Sequence, residues 1–325
     1  MRRREFITVV GGAAAWPLAA RAQQAAMPVI GYLNPTSPER GADGLRAFRQ
    51  GLSETGYVEG RNVAVEYRWA EDKNDRLPAL AADLARLQVA VIMAYADVSA
   101  LASKAATTTI PIVFVSGNNP VDMGLVADLN RPGGNLTGVT TLNVVMAAKR
   151  LQLLHEVVPA GTSIAALLNP TDPTFAVLSR DLPAAASTLG VTLHILNAGT
   201  VDDFDAVFAT LMRMKIGALA IGGDPFFNTQ MERLAALTVR YAMPAIYQYR
   251  PFVAAGGLMS YGSPATEPSR LAGAYVGRIL KGEKPADLPV QQAVKVEFIL
   301  NLRTAKALGL TIPLPLSGRA DEVIE

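Results

Sequence analysis

Short apolar segments alternate with amphipathic segments along most of the chain. The apolar run from Met27 to Leu33 precedes residues 41–54, where Leu45, Phe48 and Leu52 recur at helical spacing. The same strand-then-helix order repeats as far as residue 299. Strands that alternate with helices of this length indicate right-handed βαβ units, which build a parallel sheet.

The alternation restarts after the turn sequence that runs from Arg131 to Asn135. A chain of 325 residues has room for about two domains at roughly 150 residues each. We therefore predict an α/β fold of two doubly wound, Rossmann-like parallel-sheet lobes that divide near residue 140.

Residues 1–22 have the features of a signal peptide. Arginines at positions 2–4 precede an apolar stretch from Phe6 to Leu18, and Ala20 to Ala22 matches a small-x-small cleavage site. The order Arg3, Arg4, Glu5, Phe6 is similar to the twin-arginine export motif, and an ordinary secretory signal is the alternative. Either route predicts a protein that is periplasmic, soluble and, without a cysteine, not lipid-anchored.

The bulk composition excludes several classes of function. The formal charge is +2, and the leader contributes four arginines and one glutamate, so the remainder carries about −1. A near-neutral chain gives no electrostatic reason to bind nucleic acid. No cysteine and only two histidines leave no disulfide, no thiol nucleophile and no His-rich metal site. We expect no metal and no cofactor.

Ligands of doubly wound sheets bind beyond the carboxyl ends of the strands. The loops that follow the predicted strands carry hydrogen-bonding and aromatic side chains, which are also common in turns and helix caps. The start of the helix at Tyr95 to Ser99 suits a carboxylate, Asp224 an ammonium or hydroxyl group, and the aromatic side chains a flat or apolar solute. The candidate ligand-binding residues are Asn34, Tyr95, Ala96, Asp97, Ser99, Ser116, Asn118, Asn119, Thr141, Asn169, Asp172, Asp224, Phe226, Phe227 and Tyr249.

Motifs of common enzymes are missing from the sequence. Gly222, Gly223 and Asp224 lack the Gly-Lys-Ser/Thr of a phosphate loop, and there is no G-x-G-x-x-G or G-x-S-x-G sequence. We expect a binding protein and not an enzyme.

Several long segments resemble one family, the ABC transporter substrate-binding proteins related to the tryptophan-binding TrpX proteins. The matching segments are Arg2 to Ile7, Gly51 to Gly60, Ile110 to Val115, Leu129 to Val139, Phe252 to Gly262 and Asn301 to Leu310. The resemblance covers essentially the whole chain. It implies a type 1 periplasmic-binding fold, in which three crossovers join two lobes and a solute is held between them.

The resemblance also implies the lobe boundaries and the partner. The first lobe would take residues 28–139 and about 249–282, and the second 140–248 and about 283–325. The protein would be a monomer that delivers a small solute to an ABC permease. Amino-acid binders of the family tend to have Thr-Asp-Asn at residues 223–225 and Gly-Glu-Ala-Asn at 171–174, where this chain differs. An amino acid and an aromatic or small carboxylate therefore both stay open as ligands.

Three other functions stay open at this point. A periplasmic sensor would hand its ligand signal to a receptor, and an exported α/β enzyme would need a catalytic group that the sequence does not display. A DNA-binding regulator of the same fold would need a helix-turn-helix where this chain has an export leader.

Overall fold

The computed structural model describes residues 27–141, 143–264 and 266–325, so the predicted signal peptide lies outside the described residues. The strands are β1 (Val29–Asn34), β2 (Ala64–Trp69), β3 (Val91–Tyr95), β4 (Ile112–Ser116), β5 (Leu136–Thr140), β6 (Ile164–Leu168), β7 (Leu193–Asn197), β8 (Ala218–Ile221), β9 (Ala245–Tyr247), β10 (Met259–Gly262), β11 (Gln291–Gln292), β12 (Glu297–Asn301) and β13 (Glu322–Ile324). The α-helices are α1 (Ala42–Glu54), α2 (Leu77–Arg86), α3 (Asp97–Ala106), α4 (Ala147–Val157), α5 (Phe175–Leu189), α6 (Asp203–Arg213), α7 (Pro225–Thr229), α8 (Met231–Arg240), α9 (Arg250–Ala254), α10 (Thr266–Leu280), α11 (Leu302–Ala307) and α12 (Leu314–Ser317).

Two sheets organise these elements. The first has the order β11-β5-β4-β3-β1-β2, and its pairs are all parallel. The second has the order β13-β12-β10-β9-β8-β6-β7, in which only the β10–β12 pair is antiparallel. Apolar clusters cover both faces of each sheet, as expected for parallel sheets. We call each sheet with its helices a lobe.

The chain passes between the sheets at three connections among the described elements. The first crossover joins β5 to α4, the second joins β10 to α10, and the third joins β11 to β12. Helix α10 returns to the first lobe, where it packs against α1 and the β3–β5 strands. Each lobe therefore contains segments from distant parts of the sequence.

Helices α1 and α10 pack with their backbones in close contact. A Cβ atom at Gly51 would lie 1.8 Å from the carbonyl oxygen of Arg270, and one at Gly273 would lie 2.1 Å from that of Phe48. No side chain fits at either position. The two glycines are thus what allows α10 to cover the first sheet at this distance.

The strand membership differs from the predicted lobe boundaries at two places. Strand β10 pairs with β9 and β12 in the second sheet, although residues 249–282 were expected in the first lobe. Strand β11 pairs with β5 in the first sheet, although residues from 283 were expected in the second lobe. The second crossover therefore follows Gly262 and the third follows Gln292.

Among the described residues, the helices are too short or too polar to traverse a lipid bilayer.

Candidate functional site

A cleft of about 500 Å³ lies between the carboxyl ends of the two sheets. The first lobe contributes the segments after β1, β3 and β4, and the second lobe contributes those after β6, β8 and β9. The first and second crossovers form part of the wall through Thr141, Asn143 and Ser263. The position is the one at which doubly wound sheets bind ligands.

The structure brings nine of the fifteen predicted residues to this cleft: Asn34, Tyr95, Ala96, Asp97, Ser116, Thr141, Asp172, Asp224 and Tyr249. Whether each contacts a ligand stays a prediction. Asn34 also ends β1 with a local turn, because its Oδ1 accepts a 2.9 Å hydrogen bond from the N–H of Thr36. Thr141 is tied to the first lobe by its backbone N–H, which donates to the carbonyl of Ser116 at 2.9 Å.

The carboxyl group of Asp97 lies at the start of α3 and is held from three sides. It accepts hydrogen bonds from the hydroxyl of Ser116, from Asn118 Nδ2 at 2.8 Å and from the backbone N–H of Gly117 at 3.4 Å. Burial raises the pKa of Asp97, and these donors oppose the shift. Asp97 thereby joins the end of β4 to the start of α3 beneath the cleft.

A pair of carboxyl groups, Asp172 and Asp224, lies on the opposite side of the cleft from Asp97. Asp224 accepts from Asn169 Nδ2 and from the N–H of Phe227, both at 2.9 Å, and Asp172 accepts from the N–H of Thr174 at 2.8 Å. Burial and the adjacent charge of Asp224 raise the pKa of Asp172 to about 7, and burial raises the pKa of Asp224. The two carboxyl groups are close enough to interact, which raises the pKa of Asp172 and opposes the rise at Asp224.

The cationic side chains that line the cleft are paired with acids. Arg40 pairs with Asp72, Arg250 Nε lies 2.7 Å from Glu322, and Lys295 Nζ lies 2.8 Å from Glu297. In the described part of the chain, Asp97, Asp172 and Asp224 have no such cationic partner. The centre of the cleft is therefore negative, and it favours a ligand with a positive group.

Two tyrosines face the cleft from opposite lobes. Tyr95 ends β3, and Tyr249 follows β9. They are close enough to interact, since burial and then Tyr95 raise the pKa of Tyr249. The Tyr249 hydroxyl accepts from Asn143 Nδ2 at 3.4 Å. Aromatic rings on both walls suit a flat apolar group.

The backbone at Ala96 is strained. Its φ of 68° and ψ of 159° lie in a region that is almost confined to glycine. Ala96 directly precedes α3, and Ala96 and Val98 both line the cleft, so the first turn of this helix borders it. Such a terminus attracts anions.

Six predicted residues do not line the cleft. Phe226 and Phe227 pack in the core of the second lobe, with ring centroids 5.7 and 6.3 Å from that of Phe204. Both rings pack toward α6 and do not line the cleft, and their stacking on a ligand stays a prediction. The remaining four residues outside the cleft form hydrogen bonds elsewhere or are buried: Ser99, Asn118, Asn119 and Asn169.

Asn118 and Asn169 nevertheless bear on the site, because each donates to an aspartate of the cleft. Asn119 closes a turn by accepting from the N–H of Val121 at 3.1 Å. The Oγ of Ser99 is buried without a hydrogen-bond partner.

Some residues of the cleft were not predicted. Asn143 and Gln248 follow strands β5 and β9, and Asn228 lies in α7 after β8, so the ends of strands were the signal that could have found them. Ser260 and Ser263 were missed because β10 was assigned to the other lobe. Charged residues that line the cleft, such as Arg40 and Glu267, have no feature in the sequence that marks them as part of the site.

No cluster of three or more potential metal ligands occurs among residues 27–141, 143–264 and 266–325.

Comparison with known sequences gives a match over nearly the whole chain. Residues 37–324 match the family model described as ABC transporter substrate binding protein. A curated relative, the tyrosine-binding protein of Clostridioides difficile (strain R20291), is 24% identical over 265 residues, which cover 82% of this chain and 76% of the relative.

Solved structures share the fold. A conserved domain protein from Vibrio cholerae superposes with a TM-score of 0.84 at 24% identity, covering 91% of this chain and 99% of that protein. An ABC domain from Streptococcus pneumonia, solved in complex with L-Trp, gives a TM-score of 0.82 at 23% identity with the same coverage. The two-lobed architecture is that of type 1 periplasmic binding proteins.

Proposed function

Because the chain belongs to the ABC transporter substrate-binding protein family, we propose that it captures an aromatic amino acid in the cleft and delivers it to an ABC permease. The observation that carries the choice of ligand is the set of three unpaired carboxyl groups at the centre of the cleft. A carboxylate without an amino group would be repelled there, whereas an ammonium group neutralises the site.

Each part of the ligand has a complementary group in this arrangement. The ammonium donates to Asp172 and Asp224, which present acceptor oxygens from the second lobe. The carboxylate lies at the N-terminus of α3 on the first lobe. The aromatic side chain packs against Tyr95 and Tyr249. The tyrosine and tryptophan in the names of the two relatives agree with this choice.

Binding from both lobes gives a mechanism for capture. The open form bends at the crossovers, and the ligand stabilises the closed form because only that form contacts it from both sides. A micromolar dissociation constant would correspond to about −8 kcal/mol, which stacking and a few charge-assisted hydrogen bonds can supply in a desolvated cleft. The permease partner and export to the periplasm are parts of this proposal.

Titration calorimetry with matched ligands tests the choice of amino acid. We expect L-tyrosine or L-tryptophan to bind, tryptamine to bind weakly because it lacks the carboxylate, and indole-3-propionate not to bind because it lacks the ammonium. Asp224→Asn should weaken binding by roughly tenfold or more, since a charged hydrogen-bond partner is lost. Asp202→Asn, at an exposed position before α6, is the matched control.

Equal affinity for L-tryptophan and indole-3-propionate would contradict the ammonium site. Transport is tested separately, by uptake of the labelled amino acid in cells with and without the gene. Uptake that does not change would favour the sensor over the importer, and recovery of a chemically altered solute would favour the enzyme.

A further inference from the structure

Arg150, in the first turn of α4, is buried without a carboxylate partner. The residue is only 2% exposed, and within the described residues it forms no ion pair. Burial lowers the pKa of its guanidinium to about 10. A buried charge that is not neutralised destabilises the folded protein, so a specific role is needed to explain Arg150. Arg150 does not line the cleft.

The guanidinium of Arg150 binds two backbone carbonyls, one in the first crossover and one at the end of β10. Its Nη2 donates to the carbonyl of Asn143 at 2.8 Å, and its Nη1 donates to that of Tyr261 at 3.1 Å. Asn143 belongs to the first crossover, and Tyr261 lies in β10 just before the second. A planar guanidinium can hold both carbonyls at once, which a lysine ammonium does less well.

The same crossovers are fixed to each other and to the first lobe. Asn143 Oδ1 accepts from the N–H of Ser263 at 3.1 Å, which joins the first crossover to the second. Two N–H groups of the first crossover donate to the end of β4, namely Thr141 to Ser116 at 2.9 Å and Val144 to Gly117 at 3.1 Å. The peptide of Asn143 is therefore held between the first lobe and the guanidinium of the second.

From this arrangement we propose that Arg150 is the positioning residue of the cleft. It anchors the first crossover to β10 of the second lobe, and Asn143 in turn holds the second crossover. Arg150 thereby sets the angle between the lobes and the separation of the cleft walls. Its effect on ligand affinity rests on the proposed function, whereas its effect on the angle between the lobes does not.

The angle can be measured without any ligand. The chain contains no cysteine, so cysteines introduced at Ala105 in α3 and Ser187 in α5, both exposed, can carry spin labels on opposite lobes. In protein stripped of ligand by unfolding, dialysis and refolding, electron–electron resonance gives the distribution of label distances. We expect Arg150→Met to broaden or shift this distribution, Arg150→Lys to restore it in part, and Lys149→Met, on the same turn, to leave it unchanged.

The second readout is affinity for L-tyrosine or L-tryptophan. We expect Arg150→Met to weaken it by about tenfold, in line with the loss of two charge-assisted hydrogen bonds, and Arg150→Lys to recover part of the loss. If Arg150→Met fails to fold by circular dichroism, Arg150→Lys is the substitute, because an ammonium group holds the two carbonyls less well than the planar guanidinium and should still broaden the distances.

A folded Arg150→Met protein with the wild-type distance distribution would overturn the proposal. So would a folded Arg150→Lys protein with that distribution, should Arg150→Met not fold. If the wild type binds no amino acid while Arg150→Met alters the distances, the proposed function fails and the role of Arg150 stands.

Discussion

The Asp172 carboxyl group is the clearest case of a residue whose surroundings change its chemistry. Its folded-state pKa of about 7 lies above the ordinary value of 3.8, chiefly because the group is buried and secondly because Asp224 is adjacent. A carboxyl group whose pKa is higher in the folded than in the unfolded state lowers the free energy of unfolding at pH values above the unfolded pKa. This loss of stability grows as the pH rises from about 4 to about 7 and is constant beyond. At neutral pH the ligand-free protein is destabilised by this amount.

Binding of an ammonium ligand should therefore depend on pH. The ligand requires the ionised form of Asp172, so affinity falls as the pH drops below about 7, by up to roughly tenfold per unit. The other titratable groups near the pair are Asp97, Tyr247 and Tyr249, of which Asp97 opposes ionisation across the cleft. Calorimetric titrations with L-tryptophan between pH 5 and 8 measure the profile.

Asp172→Asn is the informative variant for this profile. It keeps the shape of the protonated carboxyl group, so we expect a nearly flat affinity profile and a higher melting temperature of the empty protein at pH 8. If the affinity of this variant depends on pH as steeply as that of the wild type, a group other than Asp172 controls the pH dependence.

The strained backbone of Ala96 leads to a prediction about stability. Glycine adopts the observed φ and ψ without strain, so the substitution removes about 1–3 kcal/mol of backbone strain from the folded state. Glycine also makes the unfolded chain more flexible, which lowers stability by about 1 kcal/mol, the smaller of the two effects. Ala96→Gly should therefore raise the free energy of unfolding by about 1 kcal/mol, and Ala96→Val should lower it. Urea denaturation measures both, and a less stable glycine variant would contradict the strain.

At the scale of the elements, the contact between α1 and α10 depends on glycine. Because a methyl group at Gly51 or Gly273 would overlap a backbone carbonyl, Gly51→Ala should separate the helices and destabilise the protein by about 2–4 kcal/mol. Gln50→Ala, on the exposed side of α1, is the matched control and should change stability by less than about 0.5 kcal/mol. Thermal unfolding followed by circular dichroism compares the two, and equal melting temperatures would contradict the close contact.

Periodicity predicted most of the regular elements, because buried strands and amphipathic helices leave local patterns. The apolar run from Met27 to Leu33 corresponds to β1 (Val29–Asn34), and the helical spacing in residues 41–54 corresponds to α1 (Ala42–Glu54). Periodicity missed β5, Leu136–Thr140, whose sequence LTGVT contains a glycine and two threonines. It also missed β11, because two glutamines carry no hydrophobic pattern and pair only through the backbone.

The site was predictable to the extent that strand ends determine it. Tyr95, Asp97, Asp172 and Asp224 reach the cleft because each follows a parallel strand. The direction of a side chain within a short helix has no such rule, which is why the sequence did not show that Phe226 packs toward α6. The buried Arg150 was not predicted either, since its partners are carbonyl groups of remote segments.

For the whole molecule, capture by closure predicts a change of shape. With a saturating aromatic amino acid, small-angle scattering should show a smaller radius of gyration than in protein stripped of ligand. Asp224→Asn at the same ligand concentration should show less compaction, because its affinity is lower. A ligand that binds tightly without any change in the scattering curve would contradict closure.

The interleaved path of the chain also constrains how the protein is made. The first lobe lacks α10 and β11 until residues 266–292 have left the ribosome, so a nascent chain of about 140 residues exposes the apolar faces that these elements later cover. The first lobe cannot finish folding before almost all of the second has been synthesised. Chaperones have the longest opportunity to bind during that interval.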